Sequence, residues 1–523
     1  MGLLEVSAIG VAVAGAGFLV RTVVHVGRTP GGVDTWYYLA YAAAFRRRPS
    51  LDVRLPQYLL QDERQSYPPL FPSLLALLPA RWLDRGYWAV APLVDCVHLL
   101  LLYAVTFRLT NSVAVGAIAA ATYAFTPHLI SETRSLSPRP FGALLPTAAV
   151  LVMFKWLASG ELRWAVVAAF VGALLFLSSA ALAVAYAFVC LSLSVVLRDP
   201  RCALCGAVAL VLAFGLSRGH MASVIRNYRH AVAYWRRNRR QYGAHPVRNS
   251  PLYGGVDLSG PAQHPGFLGR TTLQLLARLL GESPFLIALP FVAYGNTAWG
   301  RRLYAWAVAL VVLAIIATVV PPLRAFGPGR SYMKAAIFPT AFTLAYGIGG
   351  AAGLFRPFGV LVMACLGASL AAIFFFVVYV RRRPTEQTVS LPGGLKDAVS
   401  ALRASPRGSV FVLPYMYADF TCYRSRQPVV WGGHCGDLRR LEWVAPVIAR
   451  PLPDLFRELD VRYVLLDSRY VRLADLKLGE ATSQLRSSDG FELYTYIGTT
   501  TASTPAAEGS SKTAAHEQAA SGG

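Results

Sequence analysis

An acid followed by a run of aromatic residues is the first stretch of the sequence that could do chemistry. Asp34 opens the segment VDTWYYLAYAAAFRRR, which follows the first apolar run. If the segment is helical, Asp34, Tyr37, Tyr38 and Tyr41 are spaced at i, i+3, i+4 and i+7 and share one face. A carboxylate there can serve as a general base beside an aromatic binding wall. The alternatives are that Asp34 caps a helix beginning at Thr35 and that the tyrosines are core packing.

A second candidate group is basic and lies in PPLRAFGPGRSYMKAAIFP, residues 321–339. The Gly-Pro-Gly sequence predicts a tight turn that leaves backbone amides free. Arg324, Arg330 and Lys334, with Tyr332 among them, surround the start of the next helix. Helix amino ends carry partial positive charge and bind anions, so this group is a predicted phosphate site. The alternative is that the basic side chains only extend to the membrane surface.

Two further charged groups lie in predicted loops. Asp62 and Glu63 belong to the first long loop, and Glu132 and Arg139 belong to HLISETRSLSPRPFG, residues 128–142. We interpret all four as candidate contacts to an acceptor or a sugar. The alternative for the second loop is an ordinary charged surface.

Asp95 and His98 are spaced three residues apart inside an apolar run. Ionisable residues within a membrane span are candidate functional sites. The interpretation that we favour is structural, because the two side chains can satisfy each other on one helix face.

These residues are set among long apolar runs. Hydrophobic residues make up 55% of the 523, and runs long enough to cross about 30 Å of hydrocarbon recur over the first 380 residues. The sequence therefore predicts a polytopic α-helical membrane protein with about eleven spans. They are placed near 5–26, 87–107, 112–130, 141–158, 163–178, 180–197, 202–217, 283–298, 303–320, 333–352 and 357–380.

The charge distribution predicts sidedness. Residues 1–383 contain 35 Lys and Arg against 12 Asp and Glu, whereas residues 384–500 contain 14 against 13. The basic excess thus belongs to the membrane part, where it favours contact with anionic lipids rather than nucleic acid. With the amino terminus inside, more arginines lie in the short inner loops. Asp34, the long loops and the carboxy-terminal domain are then predicted to be extracytoplasmic.

The predicted domains follow from these patterns. Residues 1–383 form the membrane domain, with long outer loops at 27–86 and 218–282. Within the second loop, residues 217–243 carry seven arginines with tyrosine and tryptophan, a pattern typical of an amphipathic interfacial helix. Its arginines are expected to bind anionic headgroups or, alternatively, a lipid phosphate near the active site.

The carboxy-terminal part has a different pattern. Residues 384–500 contain short β-branched runs and a helical pattern, DLFRELD, which predict a small α/β outer domain. The predicted strands are SVFVLP (409–414), PVVWGG (428–433), RYVLLD (462–467) and FELYTYI (491–497). Residues 501–523, rich in Ser, Thr, Ala and Gly, predict a disordered tail.

Together the motifs VDTWYYL, SYPPLFPSLLALLP, GPGRSYMKAAIFP and RYVLLD, in that order, resemble the GT-C superfamily of membrane glycosyltransferases. There is a more distant similarity to protein mannosyltransferases and to the oligosaccharyltransferase catalytic subunit, which shares the D-x-x-Y-Y pattern. The resemblance implies a polyprenyl-phosphate-linked sugar donor, Asp34 as the catalytic base, and Arg330 with Lys334 as phosphate ligands. The chain has SLSPRPFG where oligosaccharyltransferases carry a metal-binding acidic pair, and VVWGGHCGD in place of W-W-D-Y-G. Neither a bound metal, nor a cofactor, nor transfer to asparagine is therefore predicted.

The predicted function is an inverting transfer of a hexosyl or pentosyl unit from a polyprenyl-phosphate donor to a lipid, glycan or protein acceptor. It would take place at the extracytoplasmic face of the cell membrane. The alternatives are a non-catalytic scaffold and a flippase or transporter of lipid-linked oligosaccharides. Such transporters usually place charges inside their spans and contain inverted repeats, whereas most acids here lie in loops and no repeat is visible.

Overall fold

A computed structural model describes residues 3–23, 33–61, 64–238, 241, 244–254, 271–292, 297–327, 329–349, 357–382, 391–432 and 438–498. Asp62, Glu63 and the predicted tail at 501–523 lie outside these described residues.

The chain up to Arg382 is built of α-helices. They are α1 Leu3–Thr22, α2 Val33–Arg47, α3 Leu70–Leu77, α4 Ala80–Thr110, α5 Val113–Ala124, α6 Pro127–Glu132, α7 Arg139–Ser159, α8 Leu162–Phe176, α9 Ala180–Val196, α10 Arg201–Leu216, α11 His220–Arg237, α12 Thr272–Glu282, α13 Ala298–Val319, α14 Gly329–Gly347 and α15 Pro357–Arg382.

Several of these helices are suited to a membrane. Of the described helices, α4, α7, α13 and most of α15 are long and apolar enough to cross a bilayer. The number rises to six if two bent pairs, α10 with α11 and α12 with the turns after it, each count as one span. Most of α1, together with α5, α8 and α9, forms shorter apolar helices. The predicted helical membrane fold is thus supported, while the count of about eleven spans stays a prediction.

One expected span is not a continuous helix. Over 283–298 we predicted a helix, but the chain forms two short 3-10 turns, Pro284–Ile287 and Leu289–Phe291. Pro284 and Pro290 lack a backbone N–H, so they interrupt helical hydrogen bonding in this segment. The chain bends by 101° between α12 and these turns.

Helix α14 begins at a glycine that packing requires. A Cβ atom on Gly329 would overlap the carbonyl oxygen of Ala314 and the hydroxyl of Thr318 on α13. Gly327, just before it, has a φ of 139°, a conformation that favours glycine. The start of α14 therefore packs directly against α13, and the predicted turn at Pro328 lies outside the described residues.

The carboxy-terminal residues form a small α/β unit around a four-stranded sheet. Its elements are α16 Gly393–Ala404, β1 Ser409–Leu413, α17 Ala418–Ser425, α18 Leu452–Glu458, β2 Val461–Asp467, β3 Thr482–Ser488 and β4 Phe491–Tyr496. The strand order is β1-β2-β4-β3, with β1 and β2 parallel and the other neighbours antiparallel. The strands predicted at 409–414, 462–467 and 491–497 are confirmed.

Two details of the sheet differ from the prediction. Of the segment predicted as a strand at 428–433, the described residues 428–432 belong to no strand of the sheet, and Val429 alone among them makes β-bridges, one to Val410 and one to Tyr58. Strand β3, with the sequence TSQLRSS, was not predicted, since it is polar and largely exposed and lacks an alternating apolar pattern.

The first loop and the carboxy-terminal unit share a core that holds α2 in place. Backbone N–H groups of Leu59 and Leu60 donate to the carbonyls of Val429 and Val430, each at 3.0 Å. The Trp36 ring, buried in α2, lies 5.0 Å from the Phe420 ring in an edge-to-face contact. This packing fixes the direction in which the first turn of α2 points.

Candidate active site

A cavity of about 320 Å³ lies beside the first turn of α2. It is bordered by the first loop, the start of α7, the start of α9, helix α11 and the start of α14. Its lining includes Asp34, Tyr38, Tyr67, Arg139, Asn227, Tyr228 and Ser331. Five segments outside α2 thus meet at the cavity beside Asp34.

Asp34 lies within α2 rather than before it. The helix begins at Val33, two residues earlier than the helix-cap alternative requires, so Asp34 is an acid of its first turn. An acid there interacts favourably with the positive helix terminus. The hydroxyl of Thr35 accepts a hydrogen bond from the backbone N–H of Leu136 at 3.0 Å, which ties α2 to the loop between α6 and α7.

A chain of acidic and basic side chains in alternation extends from Asp34. A guanidinium nitrogen of Arg139 lies 3.9 Å from the Asp34 carboxylate, and another donates to Glu132 at 2.7 Å. The second oxygen of Glu132 lies 3.5 Å from Arg330, which donates to Glu282 at 2.6 Å. Asp34 and Arg330 therefore lie in one ion-pair network, which we call the Glu132 network.

Glu132 is the centre of this network and is buried. Burial by itself raises the pKa of Glu132, but the positive groups of Arg139, His128 and Arg330 hold that pKa well below its usual range. Glu132 is therefore ionised under ordinary conditions and can orient both arginines.

The predicted aromatic wall is divided between the cavity and the core. Tyr37 and Tyr41 are fully buried, and the Tyr37 hydroxyl donates to Gln65 at 3.1 Å. Tyr38 lines the cavity and donates to the Tyr67 hydroxyl at 2.8 Å. Burial, followed by the neighbouring Tyr67 and Asp34, raises the pKa of Tyr38, so its phenol stays neutral.

The predicted phosphate ligands are placed around the cavity rather than in it. Arg330 is bound by Glu282, Glu132 and the Ser131 hydroxyl, although its neighbour Ser331 lines the cavity. Lys334 is buried in α14, and among the described residues its Nζ has no hydrogen-bond partner.

Two other residues of this group are accounted for differently. The hydroxyl of Tyr332 donates to the carbonyl of Phe326 at 3.1 Å and so closes the preceding turn. The backbone of Arg324 lies in the 3-10 turn Pro321–Phe326, and its side chain lies outside what the structure describes.

Asp95 and His98 belong to a separate buried network between the helices. Arg21 of α1 donates to Asp95 at 2.6 Å, and Tyr123 of α5 donates to the other oxygen at 2.8 Å. His98 hydrogen bonds to Tyr123 and to Thr147, each at 2.9 Å. Tyr123 thus bridges the pair, which supports the structural interpretation.

Sequence reasoning missed several lining residues. Tyr67 precedes Pro68 in the first loop, and Asn227 and Tyr228 belong to the helix predicted as an interfacial anchor. The Asn227 side chain donates to the Ser66 carbonyl at 3.3 Å, which joins α11 to the first loop. A polar asparagine within an arginine-rich amphipathic helix was the available signal. Among the described residues, no cluster of three or more His, Cys, Asp or Glu could hold a metal ion.

The chain matches no protein-family model and no curated protein. Solved structures match it over most of its length. ArnT from Cupriavidus metallidurans in the apo state has a TM-score of 0.58 at 13% identity, covering 93% of this chain and 97% of that one. The same protein bound to undecaprenyl phosphate also has a TM-score of 0.58, at 12% identity, with 95% and 99% covered.

A third match is the oligosaccharyltransferase AglB from Archaeoglobus fulgidus, in complex with an inhibitory peptide and a dolichol-phosphate. Its TM-score is 0.52 at 14% identity, and the match covers 92% of this chain and 74% of that one. The resemblance predicted from the motifs is confirmed at the level of the fold, which the chain shares with the ArnT and AglB structures.

Proposed function

We propose that the chain transfers a sugar from a polyprenyl-phosphate-linked donor to an acceptor hydroxyl, with the cavity beside Asp34 as the active site. The observation that carries this proposal is the position of Asp34 and Arg139 on one cavity. A base and a phosphate ligand are the two groups that the reaction needs. The fold is also shared with an ArnT structure that holds undecaprenyl phosphate and an AglB structure that holds dolichol-phosphate.

In the proposed reaction, the acceptor oxygen attacks the anomeric carbon of the donor sugar while Asp34 accepts the proton of the acceptor hydroxyl. The bond between the anomeric carbon and the phosphate oxygen breaks, and its electron pair leaves with the polyprenyl phosphate. Attack from the side opposite the phosphate inverts the anomeric centre. The leaving phosphate needs positive charge more than it needs a proton.

We assign the phosphate to Arg139 first. Its guanidinium lines the cavity, and its side chain is 45% exposed while one nitrogen is anchored on Glu132. An arginine can bind a phosphate through two parallel hydrogen bonds. Arg330 is paired with Glu282, so it would contact the same phosphate only after that ion pair breaks. Without a bound donor, its proposed role is to position Glu132.

Tyr38 and Tyr67 form the proposed sugar-binding side of the cavity, since both line it and hydrogen bond to each other. The predicted acceptor contacts at Asp62 and Glu63 lie outside the described residues and stay predictions. So do the extracytoplasmic orientation, the nature of the acceptor and the inverting outcome.

The test is Asp34→Asn in membranes supplied with labelled polyprenyl-phosphate sugars. We expect at least about a hundredfold loss of transfer, the usual contribution of a general base. Asp52→Asn is the matched control, because it removes an exposed carboxylate of the loop after α2 that does not line the cavity. Undiminished transfer by Asp34→Asn at a normal protein level would exclude Asp34 as the base.

The transport alternative is less favoured, because the matched AglB structure is that of an oligosaccharyltransferase. A flippase would move a labelled lipid-linked glycan across reconstituted vesicles without forming a new glycosidic bond. Translocation without transfer by the intact chain would therefore support the alternative.

A further inference from the structure

A second, larger cavity lies at the opposite end of α2. Its volume is about 910 Å³, and arginines dominate its lining. These are Arg46, Arg47, Arg48, Arg54, Arg403, Arg407, Arg424 and Arg426. Asp84 is the one carboxylate among the described lining residues, so eight positive groups face one negative group, a formal charge of +7.

The arginines come from separate parts of the chain. Two end α2, two lie in the loop after it, and four belong to the carboxy-terminal unit around α16 and α17. Like charges brought together by folding repel one another, which opposes the compact state. Their convergence on one cavity therefore needs a compensating negative charge.

Contacts within the protein account for four of the eight. The guanidinium of Arg424 lies over the Trp36 ring, 5.2 Å from its centroid, and Arg54 lies near Asp52. Arg46 donates to the carbonyls of Ala76 and Leu78 at the end of α3, and Arg47 donates to the carbonyl of Ala43 within α2. These contacts satisfy exposed carbonyls at helix carboxyl ends, where cations are favourable.

In the part of the chain that the structure describes, carboxylates neutralise only part of the group, since Arg54 lies 4.0 Å from Asp52. There, no ion pair joins Arg48, Arg403, Arg407 or Arg426 to an acid. Asp84, the lining acid, accepts a hydrogen bond from the Tyr423 hydroxyl at 2.7 Å. Most of the positive charge thus remains for a ligand.

The cavity adjoins the start of a candidate membrane span. Ala80 and Leu83, from the first turn of α4, line it. Two apolar side chains beside them face outward, since Trp82 is 40% exposed and Leu77 is 78% exposed. Tryptophan is enriched at the membrane surface, where polybasic groups also attract anionic lipids.

We propose that this arginine cavity binds the phosphate-bearing headgroup of a membrane lipid, whose acyl chains pass the apolar rim at Leu77 and Trp82. Arginine favours this ligand because its planar guanidinium matches phosphate oxygens in pairs. The site is separate from the candidate active site, because Arg47 lies thirteen residues after Asp34 on α2, about 20 Å along the helix. It therefore does not depend on the proposed transfer reaction.

The test uses the full chain in neutral detergent and native mass spectrometry with added phosphatidylglycerol or phosphatidylcholine. The variant Arg403→Gln/Arg407→Gln/Arg426→Gln removes three exposed cavity charges. The control Arg457→Gln/Arg472→Gln/Arg486→Gln removes three exposed charges of the same unit that do not line the cavity. We expect the cavity variant to bind phosphatidylglycerol at least about tenfold more weakly than the wild type. Its binding of phosphatidylcholine, and the binding of both lipids by the control variant, should equal that of the wild type.

Three results would overturn the proposal. If the cavity variant and the control lose the same affinity for phosphatidylglycerol, net charge alone retains the lipid. If the cavity variant binds phosphatidylglycerol as tightly as the wild type, the lipid binds elsewhere. Displacement of phosphatidylglycerol by inorganic pyrophosphate at equal concentration would assign the cavity to a free phosphate. If the triple variant has a lower unfolding midpoint, the single variants Arg407→Gln and Arg426→Gln give the same comparison, with a smaller expected loss of about threefold or more each.

Discussion

Replacing Glu132 by glutamine tests whether one buried carboxylate holds the two arginines of the candidate active site. Glu132 accepts a hydrogen bond from Arg139 at 2.7 Å and lies 3.5 Å from Arg330. Glutamine has nearly the same shape, but it removes the negative charge that faces both guanidinium groups. The network should then lose its centre without creating a cavity.

The expected cost follows from this geometry. A hydrogen bond to a charged group contributes about 1.5–3 kcal/mol. The arginine side chains are 45% and 28% exposed, so solvent screens part of that contribution. Glutamine keeps one acceptor oxygen. We therefore expect Glu132→Gln to lower the free energy of unfolding by about 1–2 kcal/mol, measured by titration with SDS in mixed micelles.

Glu161→Gln is the matched control. Glu161 also pairs with an arginine, Arg163, but the two side chains are 44% and 71% exposed. Surface ion pairs of this kind contribute about 0–1 kcal/mol. If the two variants lose the same stability, the burial of Glu132 does not strengthen its contacts and the reasoning is refuted.

The same variant separates positioning from catalysis. With Arg139 no longer anchored, we expect transfer to fall by about ten- to a hundredfold, since small misplacements of a binding group have effects of this size. The acceptor KM should change less than kcat. Normal kcat in a variant with the expected loss of stability would show that Arg139 does not contact the reacting phosphate.

Three further predictions concern charge and packing. Because the pKa of Glu132 is held below its ordinary 4.5, its contribution to stability is present above that pH and lost on acidification. The wild type should therefore lose more stability than Glu132→Gln between about pH 5 and pH 3, as followed by unfolding midpoints. Asp95→Asn should lower the free energy of unfolding by about 3–5 kcal/mol, because Arg21 would keep a fully buried charge without its counter-ion. The double variant Arg21→Met/Asp95→Leu should recover much of this loss, and no recovery would contradict the ion-pair explanation. Trp36→Ala should cost about 3–5 kcal/mol and expose the contact with Phe420, which limited proteolysis of the carboxy-terminal unit would detect.

The helices were predictable because their apolar runs are long. The spans expected at 141–158 and 303–320 correspond to α7 and α13 within five residues, and the span expected at 87–107 lies inside α4, which begins seven residues earlier. The predictions were wrong where hydropathy does not report the backbone conformation. Pro284 and Pro290 break an apolar run that counts as a span by composition, and β3 is a strand whose residues are mostly polar.

The residue types of the site were predictable, but their partners were not. Asp34 was singled out because an acid beside aromatic residues is unusual at a membrane boundary. Its nearby cation, Arg139, comes from a helix more than a hundred residues away, and the alternation through Glu132 to Arg330 depends on three helix ends meeting. Sequence spacing carries no information on such contacts without a tertiary structure.

The sequence by itself determined the membrane class, most helix positions, the α/β character of the carboxy-terminal part and the acid on which the proposed function rests. These depend on hydropathy, periodicity and residue type, which are local properties. The tertiary structure alone decided which arginines face Asp34, which tyrosines are core, and that eight arginines meet at the far end of α2. Each of these depends on how distant segments pack, and packing is set by the whole fold rather than by any one stretch.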